Sequence, residues 1–165
     1  MVSKAYVNPE TAKVWTDTGG DYAMDMGGLA ADAVRVGAQG DLGAAPRAFS
    51  YDWKLIIDGF DTAPVVGETV NIYLSFSSTA SAAEQDGDVG VSDAAGATDD
   101  LPNLRFLGVA SVQTTTAGDE LIISGQVDIF ERYVSPVVHN DTADALLSTA
   151  DAHKFILTPT PYEGQ

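Results

Sequence analysis

Apolar and polar residues alternate along two segments in the middle of the chain. In the first segment the apolar residues occupy every second position, at Phe49, Tyr51, Trp53, Leu55 and Ile57. A period of two places these side chains on one face of an extended strand. The segment therefore predicts a half-buried β-strand, with Trp53 in the core rather than on the surface.

The second alternating segment follows a connector rich in Pro and Gly. Its apolar positions are Val70, Ile72, Leu74 and Phe76, and three of the four residues that follow them are polar. This pattern predicts a second strand of the same kind. A turn cluster, Asp58-Gly59-Phe60-Asp61, lies between the two strands.

Weaker extended patterns occur on both sides of these two strands, and turn residues separate them. They cover residues 6–15, 104–116, 121–130, 133–138 and 155–159. Six to eight short strands with Gly-rich turns are typical of an all-β fold, an antiparallel β-sandwich or jelly-roll-like barrel. We expect a single domain over residues 1–165, with an extended N-terminal arm at about 1–20 and a C-terminal tail at about 158–165.

The sequence also predicts which residues of the 104–116 strand are buried and where short helices lie. In the 104–116 strand the residues expected to be buried are Phe106, Val109 and Val112. One or two short helices are expected: at most one short helix, or an irregular arm, in the Gly-rich region before residue 43, and one or two helical turns over 140–147, where Asn140 or Asp141 would be the N-cap.

Residues 78–103 show no periodicity and contain six acidic residues among small ones. No Lys or Arg occurs between Lys54 and Arg105. Such a segment buries too little apolar area to offset its ordering entropy unless another part of the chain holds it. We therefore predict a long exposed acidic loop.

The composition of the chain limits the classes of function that it can have. The chain has 165 residues, with 24 acidic and 8 basic residues and a formal net charge of −16. This charge excludes binding to nucleic acid or to anionic lipid, both of which need clustered cations. There is no cysteine, so disulfides and thiolate chemistry are excluded. No apolar run reaches the length of a membrane helix, and no apolar signal core is found near Met1.

The acidic loop contains one candidate metal site, the run Asp86-Gly87-Asp88 followed by Asp93. Calcium requires several oxygen ligands arranged around a tight turn. The spacing fails the EF-hand pattern, since Ala97 stands where the twelfth-position Glu would be. A looser calcium site of Asp86, Asp88 and Asp93, completed by Asp99 or Asp100, stays open beside the simpler interpretation of a solvated acidic loop.

Candidate catalytic and ligand-stacking residues are few. The two histidines, His139 and His153, lack a nucleophile-elbow pattern, although Ser135 lies four residues before the first. We expect no enzyme activity and no required cofactor. Trp15 lies among polar residues, so it is expected to be exposed and, with Tyr22, to form a possible contact for a glycan or a protein partner.

Two regions of the chain resemble a group of small virion proteins of tailed bacteriophages. The first region is DYAMDMGGLA at 21–30 with VRVGAQGDLG at 34–43, and the second is RYVSPVVHN at 132–140, TADAL at 142–146, His153 and LTPTPYEGQ at 157–165. The resemblance extends over most of the chain, with the acidic loop as the variable part. It implies a structural component of the phage particle and carries no catalytic residues.

The function that this resemblance implies is that of a capsid decoration or cement protein, which binds across capsomer junctions. The expected partners are the major capsid protein and further copies of this chain, as a homo-oligomer. The expected location is the virion, after synthesis in the host cytoplasm. Two alternatives stay open: a tail or minor head component, and a carbohydrate-binding module, possibly calcium-assisted, suggested by the aromatic residues and the acidic loop.

Overall fold

The computed structural model of the protein describes residues 11–44 and 47–160. Nearly all regular structure in these residues is β-strand. The strands are β1 Lys13–Thr16, β2 Tyr22–Ala23, β3 Ala33–Val36, β4 Gly40–Asp41, β5 Ser50–Ile57, β6 Thr69–Ser77, β7 Ala94–Gly96, β8 Arg105–Ser111, β9 Leu121–Asp128, β10 Tyr133–Asp141 and β11 Lys154–Pro159. Most of the predicted arm and tail, residues 1–10 and 161–165, lies outside the described residues.

The strands form two sheets that face each other. The five-stranded sheet has the order β2-β1-β11-β5-β9, and the six-stranded sheet has the order β7-β3-β10-β6-β8, with β4 also paired to β10. All pairs are antiparallel except β1 with β2. The predicted all-β sandwich is confirmed. No helix in the described part of the chain is long and apolar enough to cross a membrane.

The alternating residues of β5 and β6 form part of the core between the sheets, together with residues of other strands such as Trp15, Phe155 and Leu157. Tyr51, Trp53, Leu55 and Ile57 on β5 are buried, as the alternation predicts. On β6 the same holds for Val70, Ile72 and Leu74. Phe49 departs from this pattern, because β5 begins one residue later and the Phe49 side chain is 40 % exposed.

Strand β10 is buried on both faces. Val134 and Val138 point into the main core, whereas Val137 packs in a second cluster on the opposite face of the sheet, together with Leu101 and Leu104. Residues 78–104 therefore pack against part of the outer face of the six-stranded sheet. Burial on both faces accounts for the run of apolar residues from Val134 to Val138, which Ser135 alone interrupts.

The acidic segment 78–103 is more ordered than an exposed loop. It contains the short 3-10 helices Ala82–Glu84, Asp86–Asp88 and Leu101–Asn103 and adds β7 as an edge strand beside β3. The side chain of Gln85 is buried, and its amide donates to the Ser135 hydroxyl at 2.7 Å. These contacts supply the anchoring that composition alone did not predict.

The two expected helices are not found where they were predicted. Residues 33–36 form β3, and β10 continues through Asp141. The Asn140 side chain is fully buried and donates to the carbonyl oxygens of Leu29, Ala30 and Asp144. The Asn140 amide thus binds the backbone at 29–30 and at Asp144 to the sheet. It does not cap a helix, contrary to the prediction.

The burial prediction for the 104–116 strand is wrong at two of three positions. Phe106 is 52 % and Val109 is 42 % exposed, whereas Val112 is buried. The register between β6 and β8 shifts by one residue between Ile72 and Tyr73. A bulge of this kind turns the following side chains to the other face of the sheet.

The carboxylate of Asp151 ties the loop after β1 to the segment before β11. It accepts hydrogen bonds from the backbone N–H groups of Thr18 and Gly19, at 2.7 and 2.8 Å, and from the hydroxyl of Thr18. These donors lower the pKa of Asp151 to about 2. Because this folded-state pKa lies below the usual 3.8, the carboxylate adds stability above about pH 4 that is lost as the pH falls towards 2.

We expect Asp151→Asn to lower the melting temperature at pH 7, because the neutral amide accepts these hydrogen bonds less strongly. The difference from the native protein should shrink between pH 4 and pH 2. Thermal unfolding followed by circular dichroism across this range checks it, with the exposed Asp119→Asn as the control. A difference that stays constant with pH would contradict the assignment.

Candidate interaction surface

Trp15 is fully buried, so the prediction that it is exposed is wrong. Its indole stacks on Tyr22 with ring centroids 5.0 Å apart and packs against Phe155. The indole N–H donates to the Ala38 carbonyl oxygen at 2.7 Å. Gly40 permits this packing, because a Cβ at that position would lie 2.4 Å from the indole.

Tyr22 is half-buried and is only partly available to a ligand. Its hydroxyl accepts a hydrogen bond from the Asp41 backbone N–H at 3.0 Å, and one of its ring faces lies on Trp15. Asp41 also forms a 2.7 Å ion pair with Arg132, which lowers the pKa of the Asp41 carboxyl. Trp15 and Tyr22 together therefore form a packed corner of the sandwich, and the stacking platform predicted for them is not assembled.

The three aspartates of the predicted calcium site are not brought together. Asp86 and Asp88 lie in one 3-10 helix, whereas Asp93 forms a 2.6 Å ion pair with Arg35 and accepts from the Asp25 backbone N–H. The Asp93 hydrogen bond raises the pKa of Arg35. Among the described residues, the group of three side chains whose possible ligand atoms lie within 4.8 Å of one another is a different one, Asp32, His139 and Asp141.

The two histidines have different surroundings, and neither contacts a serine hydroxyl in the described hydrogen bonds. His153 is buried between backbone groups: Nδ1 accepts from the Asp58 N–H at 3.1 Å, and Nε2 donates to the Leu147 carbonyl at 2.8 Å. Burial lowers the pKa of His153, which favours the neutral ring in this role. His139 lies 3.0 Å from Asp32, and the nearby Ser135 hydroxyl is occupied by Gln85.

A shallow cleft of about 480 Å³ lies on the five-stranded sheet. It is lined by Asp52, Trp53, Lys54, Ser124, Gly125, Gln126, Ile156 and Thr158. Its one aromatic residue, Trp53, is 4 % exposed, which confirms the core position predicted for it. The cleft thus offers hydrogen-bonding groups but, within the described chain, no exposed ring on which a sugar could stack.

Two aromatic side chains stand exposed together at one end of the sandwich. Phe130 is 71 % and Phe49 is 40 % exposed, and their ring centroids are 5.8 Å apart. Large apolar side chains in contact on a surface indicate a binding site more strongly than isolated ones do. We call Phe49 and Phe130 the aromatic pair.

The Arg47 side chain contacts both parts of the chain that carry the aromatic pair. Its guanidinium is buried and lies 5.2 Å from the centre of the Phe49 ring. It donates to the carbonyl oxygens of Ile129 and Phe130, at 3.1 and 2.7 Å, and also to that of Glu131. The segment that carries Phe49 is thereby cross-linked to the turn that carries Phe130.

The rim of the aromatic pair is acidic. Asp128 and Glu131 flank Phe130 in the sequence and are both exposed, whereas the exposed Arg132 that follows is paired with Asp41. The Asp128 carboxylate accepts from the Ser50 hydroxyl at 2.6 Å, which orients it at the end of β5 and β9. A partner that covers this surface therefore needs an apolar recess with basic groups around it.

Sequence reasoning missed this surface. The alternation of β5 placed Phe49 on the buried face, and Phe130 was the last residue of a predicted strand. The local sequence held no clear signal for it: Phe130 stands beside the charged Glu131, but Trp53 stands between Asp52 and Lys54 and is buried.

Comparisons with known proteins add little to this geometry. No family model and no curated protein matches the chain. Among solved structures the chain is similar to the CBM22-1-GH10 modules of Clostridium thermocellum endo-1,4-β-D-xylanase 10B, complexed with xylohexaose. The identity is 9 %, the TM-score is 0.31, and the match covers 85 % of this chain and 18 % of that chain. A likeness this low carries no inference about function.

Proposed function

We propose that this protein is a non-catalytic assembly protein of a tailed-phage particle, a decoration protein that docks on the capsid through the aromatic pair. The observation that carries the proposal is the exposed Phe49–Phe130 contact, held by the buried Arg47. The resemblance of residues 21–43 and 132–165 to small virion proteins supplies the identity of the lattice.

The aromatic pair has the properties of an interface anchor. Aromatic residues dominate the binding energy of many interfaces when they enter a desolvated pocket. A ring that is already fixed loses less conformational entropy on binding than a mobile one, so more of the contact energy is available for affinity. Phe130 and Phe49 are fixed by each other and by Arg47.

The partners that follow from this proposal are the major capsid protein and further copies of this chain as a homo-oligomer. The capsid surface would carry a recess with basic residues, complementary to Asp128 and Glu131. Each docked copy stabilises the assembled lattice over its free subunits by mass action, so many copies together resist its disassembly. The protein would be made in the host cytoplasm and would end in the virion.

Two measurements test this proposal. Mass spectrometry of purified particles should detect the chain in a fixed ratio to the major capsid protein. Purified protein should rebind to particles that lack it, and Phe130→Ala should weaken this binding about thirtyfold, the effect of losing a hot-spot residue worth about 2 kcal/mol. Particles without the chain would overturn the virion assignment.

Phe106→Ala is the matched control, since Phe106 is also an exposed aromatic residue but belongs to the other sheet, where it packs on Tyr73. It should bind particles as the native protein does. Equal loss of binding in both variants would show that the aromatic pair has no special role. Tail fractions analysed in parallel distinguish a capsid location from a tail or minor head location.

Carbohydrate binding is the second candidate function, and the observation that favours it is the polar cleft with Asp52 and Gln126. The amide of Gln126 donates to the Asp52 carboxylate at 2.9 Å, so the two side chains form a pair that a sugar hydroxyl could join. We rank it below assembly because the cleft has no exposed ring. A glycan panel read by tryptophan fluorescence tests it, and flat titrations would remove it.

A further inference from the structure

On the outer face of the six-stranded sheet, three side chains that carry metal-ligating types of atom lie close together. Asp32, His139 and Asp141 each offer one ligand atom, and these atoms lie within 4.8 Å of one another. His139 and Asp141 are two residues apart on β10 and so project from the same face of the sheet. Asp32 reaches them from the turn that precedes β3.

Hydrogen bonds within the group and from strand β6 orient these side chains. His139 Nε2 lies 3.0 Å from Asp32 Oδ1, and the His139 side chain is 11 % exposed. Asp141 Oδ2 accepts from the Thr69 hydroxyl at 3.3 Å and from the Asn71 amide at 3.5 Å. Hydrogen bonds to a ligating carboxylate orient it and support metal affinity.

We propose that Asp32, His139 and Asp141 bind a divalent transition-metal ion of the zinc class. The imidazole nitrogen selects this class over calcium and magnesium, whose protein ligands are oxygens. Ligand atoms around a tetrahedral zinc ion lie about 3.3 Å apart, as bond lengths near 2.0 Å require. Asp32 and His139 already have a separation of this order, so the contraction on binding falls on Asp141.

Binding would replace the direct hydrogen bond between His139 and Asp32 with two metal bonds. The ion would connect the turn before β3 to the central strand β10. Three protein ligands leave a coordination position for water or for a side chain of another molecule. The net charge of −16 raises the local concentration of cations around the chain and assists their capture.

The test is isothermal titration calorimetry of untagged, chelator-treated protein with Zn²⁺, and absorption spectroscopy with Co²⁺ as a coloured substitute. We expect one ion per chain with a micromolar dissociation constant, and a rise in melting temperature with Zn²⁺. Asp32→Asn and His139→Gln should each weaken binding at least tenfold, since each removes a ligand or its charge. Ca²⁺ should give no comparable heat.

The control is the double variant Asp86→Asn with Asp88→Asn, which removes two acidic groups from the predicted calcium loop and should leave Zn²⁺ binding unchanged. If His139→Gln fails to fold, Asp32→Asn decides, because its side chain is 80 % exposed and its change perturbs no core packing. No saturable Zn²⁺ or Co²⁺ binding, or binding that both ligand variants retain, would overturn the proposal.

Discussion

Replacing Trp15 by alanine is expected to lower the free energy of unfolding by about 3–5 kcal/mol, the cost of removing a large aromatic side chain from a packed core. Trp15 is fully buried, stacks on Tyr22, packs against Phe155, and donates a hydrogen bond to the Ala38 carbonyl. Alanine would leave a cavity and an unpaired carbonyl. Urea unfolding monitored by circular dichroism measures the loss.

Trp15→Phe separates these two contributions. Phenylalanine fills most of the volume but cannot donate to Ala38, so we expect an intermediate loss. Phe106→Ala is the matched control for an exposed aromatic residue and should change stability far less. A Trp15→Ala variant as stable as the native protein would mean that this corner does not belong to the core.

The second large effect is expected for Arg47→Ala, a loss of about 2–4 kcal/mol, because charged hydrogen bonds to buried acceptors are among the stronger ones. The acceptors are the carbonyl oxygens of Ala48, Ile129, Phe130 and Glu131. Without the guanidinium the carbonyls of Ile129, Phe130 and Glu131 lose this donor, whereas the Ala48 carbonyl still accepts from the Tyr51 hydroxyl. The turn that carries Phe130 should then become mobile, and the aromatic pair should lose its fixed geometry.

Two measurements check the Arg47 prediction. Urea unfolding gives the stability, and hydrogen exchange should show faster exchange of the amide hydrogens at 129–131. Arg47→Lys keeps the charge but not the planar set of donors. Its loss of stability should therefore be smaller than that of Arg47→Ala but still measurable. Arg105→Ala is the control, since Arg105 is exposed on β8. Equal stability of the Arg47 and Arg105 variants would contradict the structural role.

The strands that the sequence predicted best are those whose burial depends on local alternation alone. β5 has one face in the main core, so a period of two determines which of its side chains are buried. β6 follows the same rule as far as Leu74, but Ser75 and Ser77 on its outer face are also buried and donate to the carbonyl oxygens of Asp86 and Thr79. The burial prediction for β8 failed because Leu107 is an extra residue opposite β6, so that Phe106 and Val109 both lie on the outer face of the sheet, which a strict period of two does not allow.

The burial of Trp15 could not be predicted from its neighbours in the sequence. Its neighbours in sequence are polar, so local reasoning placed it at the surface. The space for its ring is created by Gly37 and Gly40, whose missing side chains leave room against the sheet. Whether a large residue is enclosed depends on such distant positions, which a local pattern does not contain.

The sequence by itself determined the fold class, the two central strands and the acidic character of the 78–103 segment, because period and composition act over a few neighbouring residues. Only the tertiary structure decided that this segment packs against a sheet, that Phe49 meets Phe130, and that Asp32 meets His139 from 107 residues away. Each of these contacts joins residues that are distant in the sequence and that strand pairing and sheet packing bring together. The physical reason is that burial and proximity belong to the assembled chain, whereas alternation belongs to each strand.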